Sequence, residues 1–180
     1  MNKKLIEQYK LLYEIKPTYG ASSQKIFDKV LEVIKEYNPK SILDYGCGRS
    51  ALIDMIYAST NIAVYRYDPV FAEYNKLPTT KVDFVICTDV LQHIPENELD
   101  ENLKEIASAG DVCYFKIKCC DHPTTFPNGE PTNCTVHDKY WWNNILKKFY
   151  KSIKELQCND DTSVVFVAKS KLCYKCDTAT

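Results

Sequence analysis

Ser41-Ile42-Leu43-Asp44-Tyr45-Gly46-Cys47-Gly48-Arg49-Ser50 is the stretch whose reading decides the fold. Ser41 to Tyr45 is a short apolar run, the size of a buried strand. Gly46 and Gly48 then supply a tight turn of bare backbone. Arg49 to Tyr57 reads as a helix. A strand, a glycine turn and a helix N-terminus make a ligand-facing loop, and its free backbone N–H groups are expected to point outward. Just upstream, Gln24 to Tyr37 has helical spacing, with Ile26, Phe27, Val30, Val33 and Ile34 on the buried face. Ser22 or Ser23 can cap that helix, and Asn38-Pro39 closes it.

A glycine turn alone is a weak signal. Two further stretches strengthen it. Asn61 to Tyr67 is a second short apolar run and ends in Asp68-Pro69. Asp68 stands twenty residues after Gly48, the usual distance to an acid that binds a ribose hydroxyl pair in a βαβ unit. Val82 to Cys87 is a third strand-like run and leads into Thr88-Asp89-Val90-Leu91-Gln92-His93-Ile94-Pro95.

Together the pieces LDYGCG, YDP and DFVICTDVLQHIP resemble the class I S-adenosylmethionine-dependent methyltransferases. That resemblance implies a Rossmann-like three-layer α/β sandwich. Its sheet would be mostly parallel, of the seven-stranded type, with a C-terminal antiparallel hairpin. S-adenosyl-L-methionine is the cofactor it implies. The resemblance assigns Asp44, Gly46, Cys47 and Gly48 to the cofactor loop, with Asp44 anchoring it and reaching toward the methionine amine. Asp68 and Pro69 would hold the ribose, and Asp89 would stand near the methyl donor. An N-terminal segment often folds over the cofactor in this class, and Tyr19-Gly20 is placed to do so. The alternative for Tyr19-Gly20 is a plain turn between two helices.

The segment Phe71 to Lys81 is too short for the helix and strand the family usually has there. The third-strand region is therefore expected to be reduced, and with it the acid that usually meets the adenine amine. Backbone groups near Asp89 or in the loop Pro69 to Tyr74 are candidates to replace that acid.

Downstream, Glu98, Leu99, Leu103 and Ile106 mark a helix opened by Pro95 and closed by Ala109-Gly110. Asp111 to Lys118 reads as a strand and Asp138 to Lys151 as a helix. Tyr150 to Cys158 and Ser163 to Lys169 read as a hairpin. At the N-terminus, Leu5, Tyr9, Leu12 and Ile15 form an apolar helical face over Asn2 to Ile15. The expected organisation is 1–38 as N-terminal helices over the cleft, 39–170 as the core with a lid loop at 119–138, and 171–180 as a tail.

For chemistry, His93, Asp89 and His137 are the catalytic candidates. His93 could take a proton. Its alternative is a structural hydrogen bond facing the sheet. The loop from Cys119-Cys120-Asp121-His122 to Trp141-Trp142 carries a Pro-Asn-Gly turn. With YDP and DVLQHIP it resembles small stand-alone methyltransferases of bacteriophages. In that subgroup a histidine stands four positions after the turn glycine. Asn133 stands there here, so Asn133 and Trp141 are assigned to the substrate pocket. Trp142 reads as core.

The net charge is −1 and only Arg49 and Arg66 are arginines, which disfavours a polyanion reader. Lys147, Lys148, Lys151 and Lys154 read as a solvated helix face. No apolar run of about 18 residues suggests a membrane span, and a cytoplasmic location is expected. Nine cysteines, an odd number, favour reduced thiols, with Cys47, Cys87 and Cys113 placed in strands. Cys173-x-x-Cys176 does not by itself make a zinc site, and no metal is expected. The acceptor is expected to be a small molecule or nucleotide-sized. DNA or RNA is an alternative, though no Pro-Cys dipeptide and no Asp/Asn-Pro-Pro-aromatic loop is present. A catalytically inactive cofactor-binding partner protein is a third reading. Oligomeric state is not legible.

Overall fold

Buried residues run almost without a break along the central strands, so each of these strands feeds two cores, one on either face of a sheet. The computed structural model describes residues 2–171. Its strands are β1 (Ser41–Tyr45), β2 (Ala63–Tyr67), β3 (Val82–Thr88), β4 (Gly110–Lys118), β5 (Tyr150–Leu156) and β6 (Ser163–Ser170). They form one sheet in the order β2-β1-β3-β4-β6-β5. The β1–β2, β1–β3 and β3–β4 pairs are parallel. β6 is antiparallel to both β4 and β5 and alone runs against the rest. The Rossmann-like α/β architecture expected from the sequence is the one observed.

The helices are α1 (Lys3–Ile15), α2 (Phe27–Tyr37), α3 (Leu52–Thr60), α4 (Glu96–Ala109) and α5 (Lys139–Leu146). Ile42, Phe84 and Tyr114 pack on one face with Val30 and Ile34 of α2 and with Leu52, Ile53 and Ile56 of α3. Leu43, Val85, Cys113 and Phe115 pack on the other with Leu103 and Ile106 of α4 and Trp142 of α5. Neither face takes α1. It lies over the sheet's end and joins Tyr9, Leu12 and Tyr13 to Phe126 in a separate cluster.

Sequence spacing placed several boundaries differently. Ser22–Ile26 is a 3-10 turn, so α2 starts at Phe27, and neither serine caps it. α3 starts at Leu52, whose N–H donates to Ser50 Oγ at 3.1 Å. α5 stops at Leu146 because Tyr150 must already enter β5, where its ring is buried edge-on against Phe115 at 5.5 Å. Ile15 is 66% exposed, and Tyr13 takes its place on the buried face of α1. Cys47 lies in the turn after β1 and not in a strand. Lys147 and Lys148 follow α5 while Lys151 and Lys154 stand on β5, so these lysines do not form one helix face.

No strand lies between β2 and β3, which leaves β2 at the sheet edge. The 119–138 loop folds on itself through a Thr125–Pro131 bridge and a turn at Gly129. Cys134 and Thr135 N–H both donate to the Gln92 carbonyl, at 2.9 and 3.0 Å. Among the described residues no helix is long and apolar enough to cross a membrane, and the cysteines there are free thiols. Cys173 and Cys176 lie outside the described residues.

Candidate functional site

Three loops leave the same end of the parallel strands, and a cavity of about 990 Å³ opens among them. That volume is at the upper end for small-molecule sites and leaves room for two reactants. Gly46, Gly48, Asp68, Pro69, Asp89 and His93 line it, with Tyr19-Gly20 and Asn133.

The glycine turn is built from the inside. Gly46 N–H and Cys47 N–H both donate to the Tyr67 carbonyl, at 2.7 and 3.1 Å. Gly48 N–H donates to Asp68 Oδ2 at 2.9 Å, while Val70 N–H donates to Asp68 Oδ1 at 2.9 Å. The expectation of outward-pointing amides is therefore corrected: all three turn N–H groups are spent on β2 and its following acid. A turn of this kind has carbonyl oxygens left to offer and no amide cradle for a phosphate. Both glycines adopt positive φ, +75° at Gly46 and +52° at Gly48.

Asp68 is 6% exposed, and burial raises its pKa against the pull of its two backbone donors. Asp68→Asn would turn an amide NH2 toward one of those N–H donors. It is expected to cost about 2–3 kcal/mol, the worth of a charge-assisted bond lost inside the protein. Urea unfolding measures it, and an unchanged midpoint would mean that the carboxylate does not hold the turn.

A strap from Lys16 to Ser23 crosses the turn. Arg49 Nη1 donates to the Pro17 carbonyl at 3.0 Å. The Arg49 guanidinium lies over the Tyr13 ring at 5.3 Å and the Phe71 ring at 5.7 Å. A Cβ on Gly48 would meet the Gly20 carbonyl and the Tyr13 hydroxyl at 3.2 Å. The strap and α1 thus roof the turn directly.

Asp89, at the end of β3, has φ +58°, a conformation Asp tolerates better than most residues. Its N–H donates to the Lys116 carbonyl at 2.8 Å, and Lys116 Nζ sits 2.7 Å from its carboxylate. His93 follows in a 3-10 turn. Its Nδ1 is 2.7 Å from the Thr132 carbonyl, which can only accept, so Nδ1 carries the proton. Burial lowers the His93 pKa and keeps the ring neutral. Of the two readings of His93, the structural hydrogen bond is the one seen here: one nitrogen pins the 119–138 loop, and the other faces the Gln92 side-chain nitrogen at 3.4 Å.

Four sequence candidates, His137, Trp141, Cys47 and Asp44, are not brought to the cavity wall. His137 Nε2 lies 2.5 Å from Glu96, and its ring stacks on Trp141 at 3.8 Å. Together they form a surface pair beside α5, because Asp138 caps α5 and turns both side chains away. Cys47 and Asp44 are 3% and 2% exposed and lie beneath the turn. The backbone of Asn133 lies next to the His93 pin, and its side chain donates to the Cys120 carbonyl at 3.0 Å.

Several residues of the site were not singled out from sequence, namely Tyr9 and Tyr13 from α1, Arg49, Gln92 and Lys116. Tyr9 and Tyr13 stand four apart and share one helix face, which was the available signal. Lys116 left none, since one lysine among 23 basic residues carries no pattern.

No protein-family model matches this sequence, and no curated protein matches it. Solved structures do share its fold. The Burkholderia thailandensis 1,6-didemethyltoxoflavin-N1-methyltransferase, solved with 1,6-didemethyltoxoflavin and S-adenosylhomocysteine, superposes with a TM-score of 0.65 at 11% identity, over 93% of this chain and 88% of that one. DhpI, solved as a complex with SAH, gives 0.63 at 13% identity over 94% and 98%. The methyltransferase domain of bacterial CtHen1 gives 0.60 at 17% identity over 81% and 98%. At these identities the likeness establishes a shared fold.

Proposed function

We propose that this chain transfers a methyl group from S-adenosylmethionine to a small-molecule acceptor. The observation that carries the reading is the inward-facing glycine turn beside Asp68. It offers carbonyl oxygens and a carboxylate, which suit a ribose, an ammonium and a sulfonium. It does not suit the pyrophosphate of a dinucleotide, which needs free N–H groups. The fold shared with SAH-bound methyltransferases supports the same choice.

Asp68 would hold the ribose hydroxyls through the lone pairs its backbone donors leave free. The Gly46–Gly48 turn and the strap at Tyr19-Gly20 would hold the methionine part, with Pro69 and Asp89 beside it. S-adenosylmethionine supplies a methyl group already activated for displacement. What remains for the protein is to align, to exclude water and to manage a proton. The roof of α1 and the strap would shield the turn side of the cavity from water. Lys116 fixes Asp89 from both backbone and side chain, so the donor end of the site keeps its shape. His93 Nε2, once released from the Gln92 side-chain nitrogen 3.4 Å away, is the candidate to take the acceptor's proton, and His137 does not line the cavity.

Calorimetric titration with S-adenosylhomocysteine tests the cofactor. One-to-one micromolar binding is expected. A folded protein that shows no heat with either S-adenosylmethionine or its product would sink the reading. Lys116→Met leaves Asp89 without its cation and is expected to weaken that binding about tenfold, with the melting temperature as the control for folding.

A further inference from the structure

Charge on the cavity wall is uneven. Lys16, Lys25, Lys116 and Lys118 line it, against Asp68, Asp89 and Asp160. Two of these lysines are already engaged. Lys116 Nζ lies 2.7 Å from Asp89, and Lys118 Nζ lies 3.1 Å from Asp160 and also donates to Thr162 Oγ1. Hydrogen bonds from Thr162 and Ser163, with Lys118 beside them, hold the Asp160 carboxyl below the usual range, so that pair stays charged. Asp68 is taken up by the N–H groups of Gly48 and Val70. Lys16 and Lys25 are exposed where they line the cavity, and among the described residues neither ammonium has an ion-pair or hydrogen-bond partner.

The two free lysines stand on different walls. Lys16 precedes Pro17, whose carbonyl Arg49 holds beside the glycine turn. It therefore lies with the part of the site assigned to the methionine moiety and its carboxylate. Lys25 belongs to the 3-10 turn Ser22–Ile26. Ser23 Oγ accepts from Thr88 Oγ1 at 3.0 Å, which ties that turn to the end of β3. One helical turn further on, Lys29 Nζ donates to Asn159 Oδ1 at 2.8 Å, next to Asp160. Lys25 thus stands between the end of β3 and the β5–β6 turn. Two more donors line the cavity here. Ser23 Oγ accepts from Thr88 and so keeps its own proton to give. His122, which follows β4, accepts the Thr124 N–H on Nδ1 at 3.2 Å, so its proton is on Nε2.

An entering cation would find both acids of this side matched, and would have to part a lysine from its aspartate. An entering anion meets an unmatched ammonium with hydroxyl and imidazole N–H donors, and breaks no pair. The cofactor sharpens the preference, because its sulfonium adds positive charge to the same cavity. We infer that the methyl acceptor carries an anionic group, a carboxylate or a phosphate, that docks on Lys25. This rests on the methyl-transfer reading and gives Lys25 a part in specificity, not in the chemical step.

The test is an NMR titration of the protein saturated with S-adenosylhomocysteine, so that the cofactor's own carboxylate is already seated. Inorganic phosphate and acetate are the anionic probes and tetramethylammonium is the cationic comparator, each at millimolar concentration and constant ionic strength. At least one anion is expected to shift the backbone amides of Ser22–Ile26 and His122 saturably, and the tighter of the two tells phosphate from carboxylate. Tetramethylammonium is expected to leave them in place. Lys25→Met is expected to weaken the anion about fivefold, the worth of one exposed ion pair. Lys25→Arg should keep the affinity, and Lys16→Met should leave it unchanged. The exposed Lys25 side chain makes Lys25→Met safe for folding, and its melting temperature is the control. No saturable shift with either anion, an equal response to tetramethylammonium, or unchanged anion affinity in Lys25→Met overturns the inference. Failure of S-adenosylhomocysteine itself to bind overturns the methyl-transfer reading instead, so the two failures are distinct.

Discussion

Gly46→Ala is expected to lower stability by about 2–5 kcal/mol and to abolish S-adenosylhomocysteine binding. Two costs add. Gly46 has φ +75°, where an L-residue is worse by about 1–2 kcal/mol. A Cβ there would also fall under 3.0 Å from Val90 Cγ2. Val90 is 8% exposed, so it has little room to retreat, and overpacking of this kind costs about 1–3 kcal/mol. Binding fails because the turn cannot shift without breaking the two N–H bonds to the Tyr67 carbonyl. Val90→Ala separates the two costs. In the double variant the clash is gone and only the backbone cost remains. Urea unfolding of the four proteins gives the coupling, and strict additivity would show that the Val90 contact is not the obstacle.

The same turn shows how far the sequence reaches. The strand Ser41–Tyr45, the glycines and the acid twenty residues on were legible because their signal is local: an apolar run, a residue type, a spacing. The missing strand between Tyr67 and Val82 was legible too, because chain length is a hard limit. The direction of the turn's amides was not. It depends on the Tyr67 carbonyl, which only the β1–β2 register, Tyr45 opposite Tyr67, brings under the turn. The N-terminal segment was expected over the cleft, but the contacts that seat it were hidden for a related reason. Tyr9 meets Phe126 at 4.9 Å and Tyr13 meets Phe71 at 5.0 Å, contacts between segments with no shared period. His137 shows the converse. A histidine in a loop over the cleft is a reasonable candidate until the Asp138 cap of α5 turns it outward onto Trp141.

Stability is expected to fall as the pH rises from about 4 to about 7, and Asp44→Asn to remove much of that slope. Asp44 is 2% exposed, and its Oδ2 has no hydrogen-bond partner. Burial pushes its pKa from 3.8 to about 7, against the nearby Arg66 charge and with a smaller push from Asp68. The folded chain therefore keeps this proton until about pH 7, while the unfolded chain releases it near pH 4. Between those values the unfolded state holds fewer protons, so each rise in pH favours unfolding. The full interval corresponds to about 4 kcal/mol, a ceiling that relaxation around the carboxylate reduces. Asp68, also raised by burial, adds in the same direction. His93 acts oppositely. Its lowered pKa makes the unfolded chain the better proton binder between the folded value and 6.5, so its contribution grows as the pH rises there. The difference between wild type and Asp44→Asn cancels both. Urea midpoints at pH 4.5, 6 and 7.5 should show the variant gaining on the wild type at each step. Parallel curves would mean that Asp44 is ionised in the folded protein throughout, with its charge met by Arg66, whose guanidinium otherwise serves Asp54.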